Sequence, residues 1–184
     1  MSREEGFTIW MTGLPGAGKS TLATLVKRKL EGEFGRRVEL LDGDEIRKGL
    51  SRDLGLSKED REEHARRVSY VAKLLSRNGV ISIVALISPY RTSRKEARET
   101  VGADRFVEVY VKASLEECER RDPKGLYAKA RRGEIDNMTG IQHPYEPPDA
   151  ADVTVDTEKE RPEESAGEII DALVKAGKLN SPPA

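Results

Sequence analysis

A glycine-rich stretch near the start of the chain has the residue types and spacing that hold nucleotide phosphates. Residues 12–21 read TGLPGAGKST, in which Gly13, Gly18, Lys19 and Ser20 match GxxxxGK[ST]. An apolar run precedes the stretch and a helical pattern follows it, as the motif requires. Backbone N–H groups hold the phosphates there, a lysine reaches the transferring phosphoryl group and a hydroxyl ligates Mg²⁺. The predicted phosphate loop comprises Gly13, Leu14, Pro15, Gly16, Ala17, Gly18, Lys19, Ser20 and Thr21.

The loop alone predicts a nucleoside triphosphate, and it does not separate kinases from GTPases or motors. Two carboxylates, Asp42 and Asp44, follow the second predicted strand in the stretch LLDGDEIR. Ligands of open parallel sheets bind beyond the carboxyl ends of the strands. One carboxylate could accept a proton from an attacking hydroxyl, and either could hold hydrated Mg²⁺. A tight turn followed by a helix N-cap is the alternative, and it stays open for Asp42. For Asp44, Arg47 one helical turn later favours a functional role.

Two further features lie beyond other predicted strands. Ser88 directly follows the apolar run at residues 80–87, so its hydroxyl should point into the same crevice; the alternative is a strand-ending turn before Pro89. Residues 120–132, RRDPKGLYAKARR, contain six Lys or Arg and one acid. Such charges usually form a solvated face, but the prolines and glycines around them favour a mobile basic lid. A lid of this kind excludes water and neutralises phosphate charge.

The apolar pattern alternates between strand and helix periods. Strands are predicted at 7–11, 38–41, 80–87, 106–111 and 152–155, and helices at 20–31, 57–78, 92–101, 114–121 and 162–176. Ser57 with Asp60 and Ser114 with Glu117 have the spacing of capping pairs at the starts of their helices. This alternation predicts a three-layer α/β fold of the P-loop NTPase type, with a parallel sheet of about five strands and helices on both faces. Residues 122–149 include most of this basic stretch and are too long for a plain connection, and such loops are usually functional or disordered; we refer to residues 122–149 as the lid.

The bulk composition sets limits on the class of protein. The 184 residues fit one domain, which we place at 1–177 with a flexible tail at 178–184. The net charge of −1 gives no general attraction to nucleic acid or membrane. A single cysteine, Cys118, excludes an intrachain disulfide and indicates a reducing, cytoplasmic location. No segment approaches the ~20 apolar residues of a membrane span.

Several motifs together resemble adenylylsulfate (APS) kinase. In chain order they are TIWMTGLPGAGKST, LLDGDEIRKGLSRDLG, DREEHARRV, ISPYR, ERRDPKGLYAKAR, TGI and PYEPP. They extend over residues 7–157. The combination of DGDxxR, ISPYR and DPKGLY is highly specific, whereas the phosphate loop alone is not.

The resemblance implies transfer of the γ-phosphoryl of ATP to the 3′-hydroxyl of adenosine 5′-phosphosulfate, with ADP and 3′-phosphoadenylylsulfate (PAPS) as products. It implies Lys19, Asp44 and Ser88 as catalytic residues, with Asp44 as the proton acceptor. Ser88 stands where the family has a phosphorylatable serine, and we treat it as a substrate-site residue first and a covalent carrier second. The implied Mg²⁺ ligands are Ser20 and Asp42, the latter directly or through water.

The resemblance also implies an acceptor pocket, in which Arg47 and Arg61 grip the phosphosulfate end. Its residues are Asp42, Asp44, Arg47, Leu56, Arg61, His64, Ile87, Ser88, Pro89, Lys124, Gly125, Leu126 and Met138. The family is commonly a homodimer and could be functionally coupled to an ATP sulfurylase.

The chain departs from the family pattern on the acceptor side. Leu56 and Met138 replace phenylalanines that by similarity would sandwich the adenine, and His64 replaces an asparagine. An aromatic stack contributes ~0.5–1.5 kcal/mol beyond area burial, so acceptor affinity and base selectivity are affected. His64 is interpreted as a hydrogen-bonding replacement, with a plain helix-surface residue as the alternative. Pro15, where serine is commoner, should be harmless.

Two other functions remain open from the sequence. The three acceptor-side departures are compatible with a kinase of the same fold acting on another nucleotide-linked acceptor, for example a cytidylyl-linked molecule. A non-catalytic nucleotide-binding regulatory domain would show erosion of the chemistry. The reactive and anion-binding residues Lys19, Ser20, Asp44, Arg47 and Arg61 are all present, which argues against that function.

Overall fold

A computed structural model describes residues 5–180 and contains one five-stranded parallel sheet. The strands are β1 (Thr8–Thr12), β2 (Val38–Asp42), β3 (Ile81–Ala85), β4 (Phe106–Lys112) and β5 (Val153–Asp156). Their order across the sheet is β2-β3-β1-β4-β5. The predicted fold class and strand number are therefore confirmed. Because all strands run the same way, their carboxyl ends meet at one edge, where the phosphate loop begins.

Seven helices and one short 3₁₀ turn, Ala103–Arg105, connect the strands within residues 5–180. The helices are α1 (Lys19–Gly32), α2 (Gly43–Lys48), α3 (Lys58–Arg77), α4 (Arg91–Val101), α5 (Leu115–Arg121), α6 (Leu126–Arg131) and α7 (Pro162–Lys175). In this part of the chain no helix is long and apolar enough to cross a membrane.

The sheet separates two apolar clusters, which form the two sides of the core. Along β1, Ile9 and Met11 contribute to the cluster that includes residues of α1 and α7. Trp10 points to the other face and joins the cluster formed with α3 and α4. This period-two alternation within a wholly buried strand is what a sheet covered on both faces requires.

Side-chain caps fix where two of the predicted helices begin. The Ser57 hydroxyl accepts from the backbone N–H of Asp60 at 3.1 Å, and the Ser114 hydroxyl accepts from that of Glu117 at 3.2 Å. Both pairs were predicted from their spacing. Each cap satisfies a backbone donor that the first helical turn leaves without a partner.

Two short helices were not predicted. Residues 43–48, to which no helix was assigned although a helix N-cap was left open, form α2, and residues 126–131, assigned to the lid, form α6. Each has only six residues, too few for the helical period to appear in the sequence pattern.

The predicted C-terminal tail also starts too early. Leu179 is buried and belongs to the same apolar cluster as α7, so packing continues beyond residue 178. Residues 181–184 of the predicted tail lie outside the described residues.

Candidate active site

A cleft of about 850 Å³ lies at the carboxyl ends of the strands. It brings together most of the predicted site residues. Those that line it are Pro15, Gly16, Gly18, Lys19, Ser20, Thr21, Asp42, Asp44, Arg47, Arg61, His64, Ile87, Ser88, Pro89, Lys124 and Leu126. Six predicted residues do not line it, namely Gly13, Leu14, Ala17, Leu56, Gly125 and Met138.

The phosphate loop turns tightly from β1 into α1. Gly16 and Gly18 have φ values of 81° and 104°, in the left-handed region that favours glycine. The Lys19 ammonium donates to the carbonyls of Gly13 and Leu14, at 2.8 Å each. Burial lowers the pKa of Lys19 to about 8, with the nearby Lys124 cation acting in the same direction. The lysine is therefore held against its own loop, close to where phosphates enter.

Asp42 caps a helix, as one of the two readings of the sequence predicted, and it also lines the cleft. Its Oδ1 accepts from the backbone N–H of Asp44 at 3.0 Å and so caps α2. Its Oδ2 accepts from the Ser20 hydroxyl at 2.8 Å. The structural cap thus also places a carboxylate beside the hydroxyl of the phosphate loop.

The pair formed by Ser20 and Asp42 fits what Mg²⁺ needs at a nucleotide. Within residues 5–180 no group of three or more His, Cys, Asp or Glu side chains could hold a metal ion. Mg²⁺ at kinase sites usually takes only one or two protein oxygens, with the rest from phosphates and water. The donor set is therefore suited to a nucleotide-bound Mg²⁺ and not to a metal held by protein alone.

The lid contacts the predicted proton acceptor directly. Lys124, which precedes α6, forms an ion pair with Asp44 in the first turn of α2. Both side chains are more than half exposed, so this contact contributes little to stability. It places a lid cation beside a carboxylate that lines the cleft.

Two residues outside the phosphate loop donate hydrogen bonds to its carbonyls, and neither was predicted as a site residue. The Tyr127 hydroxyl of α6 donates to the carbonyl of Pro15 at 2.7 Å. The Thr157 hydroxyl donates to the carbonyl of Ala17 at 2.8 Å. Thr157 immediately follows β5, so the rule that sites lie beyond strand ends could have indicated it. Tyr127 is the last residue of the DPKGLY motif, so that motif could have indicated it.

Arg61 joins two segments on the acceptor side. Its guanidinium donates to the carbonyl of Leu56 at 3.0 Å and to that of Asn137 at 2.8 Å. Burial lowers its pKa, and the nearby Arg47 cation lowers it further. Arg47 in turn donates to the carbonyl of Gly55 at 2.9 Å. Both guanidiniums line the cleft, and both donate hydrogen bonds to backbone carbonyls of neighbouring loops.

The two positions that lack the family's aromatic rings differ in environment. Leu56 is 42% exposed, whereas Met138 is 5% exposed and packs in the core cluster of α1 and α7. Arg61 bonds the backbone of Leu56 and that of Asn137, the neighbour of Met138, so the two segments are close. Their side chains nevertheless do not line the cleft.

His64 is a cleft residue and not a helix-surface residue. It is 5% exposed, and its Nδ1 is 2.8 Å from the Ser51 hydroxyl. Its Nε2 is buried without a hydrogen-bond partner. Burial, together with Arg47, Arg61 and Arg67, lowers the pKa of His64 to about 4, so the ring is neutral at pH 7. The alternative of a plain surface residue is therefore wrong.

Ser88 occupies an unusual backbone conformation at the base of the cleft. Its φ is 44°, which is uncommon for a residue other than glycine. The buried Trp10 indole donates to the Ser88 hydroxyl at 3.0 Å. Ser88 lines the cleft, and its hydroxyl accepts the hydrogen bond of this buried indole.

Comparisons with known proteins identify the family. The family model for adenylylsulphate kinase matches residues 5–156. An adenylyl-sulfate kinase of Halothermothrix orenii is 55% identical over 182 residues, which cover 99% of this chain and 97% of that protein. The chain belongs to the adenylylsulfate kinase family. A probable adenylyl-sulfate kinase of Pyrococcus abyssi is also 55% identical, over 95% of this chain and 99% of that protein.

Solved structures of adenylylsulfate kinases agree with this assignment. The APS kinase CysC of Mycobacterium tuberculosis, in complex with AMPPNP and APS, has a TM-score of 0.88 at 47% identity and covers 92% of this chain and 98% of that chain. A gluconokinase of Sinorhizobium meliloti has a TM-score of 0.58 at 19% identity over 94% of both chains, which shows a shared fold alone. The predicted family and enzyme class are confirmed.

Proposed function

We propose that the protein transfers the γ-phosphoryl of ATP to the 3′-hydroxyl of adenosine 5′-phosphosulfate, giving PAPS and ADP. The observation that carries this proposal is a single cleft that holds both the phosphate loop and Asp44. Family membership supports APS as the acceptor. The product would be the activated sulfate donor of sulfate assimilation.

The transfer needs one group on each side of the moving phosphoryl. Lys19 exchanges the loop carbonyls for phosphate oxygens, which are stronger acceptors because they are charged. The 3′-oxygen forms a bond to the γ-phosphorus, and the bond to the bridging oxygen breaks, so that ADP leaves with the electron pair. The proton of the 3′-hydroxyl passes to the Asp44 carboxylate, which accepts it once Lys124 has moved away.

Lys124 has a second use in this scheme. Its release from Asp44 leaves an ammonium at the mouth of the cleft, where it neutralises charge on the transferring phosphoryl. Ser20 and Asp42 would hold Mg²⁺, which supplies further neutralisation of the phosphate oxygens when bound. The ion pair therefore keeps the Lys124 ammonium beside the Asp44 carboxylate until the ammonium is needed at the phosphoryl group and the carboxylate at the 3′-hydroxyl.

Arg47 and Arg61 are suited to the anionic end of the acceptor. Both guanidiniums line the cleft, and both now donate to neutral backbone carbonyls. A phosphosulfate would offer charged oxygens in their place, and arginine binds such groups with two parallel hydrogen bonds. We assign the neutral His64 Nε2 to a polar contact with the same ligand, because this buried atom otherwise lacks a partner.

A second candidate is favoured by the changed base clamp. Leu56 is exposed and Met138 is buried in the core, so neither side chain provides a flat surface in the cleft. A kinase acting on another nucleotide-linked acceptor, such as a cytidylyl-linked one, would keep all the phosphoryl-transfer residues. The two candidates therefore differ in the acceptor alone.

The experiment is a measurement of ADP release from MgATP with APS, and then with other nucleotide-linked acceptors. We expect release that depends on APS, and its loss in Asp44→Asn, which keeps the side-chain shape without the carboxylate. Release only with a different acceptor would favour the second candidate. Absence of release with every acceptor, in protein that still binds ATP, would indicate a regulatory nucleotide-binding domain.

The assembly and setting of the enzyme remain predictions. An APS kinase of Thiobacillus denitrificans is hexameric, and this chain covers 30% of that longer chain at 34% identity and a TM-score of 0.74. For the present chain we propose a homodimer, a cytoplasmic location, and functional coupling to an ATP sulfurylase.

A further inference from the structure

A buried arginine that the proposed chemistry does not use joins three segments beneath the cleft. Arg94 lies on α4 and its side chain is 3% exposed. Its guanidinium donates to the carbonyl of Ser88 at 2.6 Å, to the carboxylate of Glu108 on β4 at 2.9 Å, and to the carbonyl of Glu146 at 2.6 Å. A rigid planar fork can hold acceptors in three fixed directions, which a lysine ammonium cannot reproduce.

The first of these segments is the turn at residues 87–90, here called the Ser88 turn. Its left-handed residue is not glycine, and such a conformation persists only where its surroundings hold it. Besides Arg94, the Thr12 hydroxyl donates to the carbonyl of Ile87 at 2.6 Å and the Trp10 indole donates to the Ser88 hydroxyl. The turn therefore takes its shape from groups on β1 and α4.

The second segment is the C-terminal end of the lid, residues 144–148, here called the lid anchor. Its Glu146 accepts through the side chain from the backbone N–H of Arg91 at 2.8 Å. Its backbone N–H donates to the carbonyl of Pro89, also at 2.8 Å. The Tyr145 hydroxyl lies 3.0 Å from that of Thr12. The lid anchor is thus bonded to the Ser88 turn, to the start of α4 and to the end of β1.

We propose that Arg94 is a positioning residue that sets the Ser88 turn and joins it to the lid anchor. The role of the turn in acceptor binding rests on the proposed function. The hydrogen bonds by which Arg94 joins the turn to the lid anchor, here called the Arg94 joint, do not depend on it. Arg94 touches no reacting atom. It acts by keeping one wall of the acceptor pocket and the base of the lid in a fixed relation, so that acceptor binding and lid position are coupled.

The chain provides a direct reporter of the turn. Trp10 is the only tryptophan, it is fully buried, and its indole N–H donates to the Ser88 hydroxyl. A ¹H–¹⁵N spectrum therefore contains one indole signal, which needs no further assignment. Loss of the hydrogen bond moves this signal upfield, and the measurement requires neither nucleotide nor acceptor.

The test compares Arg94→Lys with Arg36→Lys. Arg36 is also buried, and it donates to the backbone of Glu5 near the start of the chain, outside the cleft. We expect Arg94→Lys to move the indole signal and to lower kcat/KM for APS about 10- to 100-fold, the effect of a small misplacement of a pocket wall. The KM for ATP should stay close to wild type. Arg36→Lys should change the melting temperature but neither the indole signal nor the kinetics.

A second variant covers the case in which Arg94→Lys does not fold. Glu108→Gln keeps the volume but removes the charge that orients the guanidinium, and charge-assisted bonds are about twice as strong as neutral ones. We expect the indole signal to move in the same direction by a smaller amount. An indole signal and APS kinetics like wild type in the folded variant would overturn the proposal. Equal rises in KM for both substrates would also overturn it, because that pattern indicates general loosening.

The two proposals fail in different ways. If wild-type protein binds ATP but does not phosphorylate APS, the proposed function fails, while the indole signal still decides whether Arg94 sets the turn. If APS is phosphorylated and Arg94→Lys leaves the indole signal in place, the assignment of Arg94 alone is overturned.

Discussion

At the scale of single residues, burial lowers the pKa of two cleft residues, Lys19 and His64, and leaves the first charged and the second neutral at pH 7. Lys19 must be charged to bind phosphate, yet burial lowers its pKa to about 8. His64 must remain neutral to avoid adding charge beside Arg47 and Arg61, and burial lowers its pKa to about 4. Near pH 7 both groups are in the form that the proposed chemistry needs.

Lys19 should make nucleotide affinity depend on pH above neutrality. Because its pKa in the free protein is about 8, its charged fraction falls as the pH rises through that value. Phosphates bind the charged form, so the Kd for ATP should rise about tenfold between pH 7 and pH 9. Isothermal titration with MgATP at a series of pH values measures this.

The matched control is Lys19→Met, whose weaker binding should not change over the same range. The last proton of a phosphate leaves near pH ~6, so titration of the nucleotide itself does not produce the effect. A Kd in wild-type protein that stays constant from pH 7 to pH 9 would contradict the assignment of a lowered pKa to Lys19.

His64 should instead affect stability on the acid side. The unfolded chain binds a proton at this residue between its ordinary pKa of 6.5 and the folded pKa of about 4, so folding becomes less favourable as the pH falls through that window. Between pH 7 and pH 5 the wild type should lose about 1–2 kcal/mol through His64. Above pH 6.5 this residue should have no such effect.

Urea unfolding at the two pH values, in wild type and in His64→Asn, separates this effect from other titrating groups. Asparagine keeps hydrogen-bonding capacity and does not titrate, so the variant should lose less stability on acidification. Equal losses in the two proteins would show that His64 does not carry the acid sensitivity.

At the scale of elements, the sequence predicted what long apolar patterns and strong caps can specify. All five strands and five of the helices appear close to their predicted positions, and Ser57 and Ser114 cap as expected. The short α2 and α6 could not be predicted because six residues show less than two helical turns. Both are fixed by side chains acting at their ends, Asp42 for α2 and Asp122 for α6.

The absence of a local sequence pattern also explains which contacts of the site could not be predicted. Phosphate-loop residues and carboxylates at strand ends carry local spacing, so they were predicted. Contacts across the chain carry none: Lys124 with Asp44 spans 80 residues, and Tyr127 with Pro15 spans 112. Tertiary packing alone brings these partners together.

The contact between α6 and the phosphate loop gives a prediction for the lid helix. In Tyr127→Phe the Pro15 carbonyl loses its donor, and the loop loses one of the contacts that hold it in its turn. We expect the KM for ATP to rise about 3- to 10-fold, the loss of roughly one hydrogen bond, with kcat changed less. Steady-state kinetics with ATP varied at saturating acceptor measures this.

Tyr70→Phe is the matched control, because Tyr70 is 57% exposed on α3 and does not line the cleft. It should leave both kinetic constants as in wild type. A wild-type KM for ATP in Tyr127→Phe would show that α6 does not support the phosphate loop.

At the scale of the whole molecule, the strand order determines which reactive groups meet. The central strand β1 leads into the phosphate loop, and β3 and β2 on one side of it lead to Ser88 and to Asp42. Parallel pairing puts all these ends at one edge. On the other side, β4 and β5 lead into the lid and to Thr157. The phosphate loop, the acceptor-side residues and the lid therefore all lie at one edge of the sheet.

The lid is attached near both of its ends, and Met138 between them packs in the core, so the exposed stretch that precedes Met138 predicts where a protease cuts first. Tyr127 holds its beginning and the Arg94 joint holds its end, whereas residues 131–134 are all exposed. Trypsin should therefore cleave first after Arg131 or Arg132, because exposed segments with few contacts open at low free energy. Mass spectrometry of early fragments identifies the site.

Ligands should slow this cleavage if the lid closes over them, since closure orders the segment between the two attachments. With ATP-site and acceptor-site ligands together we expect the first cut to slow severalfold, while any cleavage at exposed Lys95 on α4 keeps its rate. A first cut outside residues 122–149 would show that the lid is not the least stable part of the fold. An unchanged rate at Arg131 and Arg132 with both sites filled would show that the lid does not close on its substrates, and the proposed release of Lys124 from Asp44 would then need another cause.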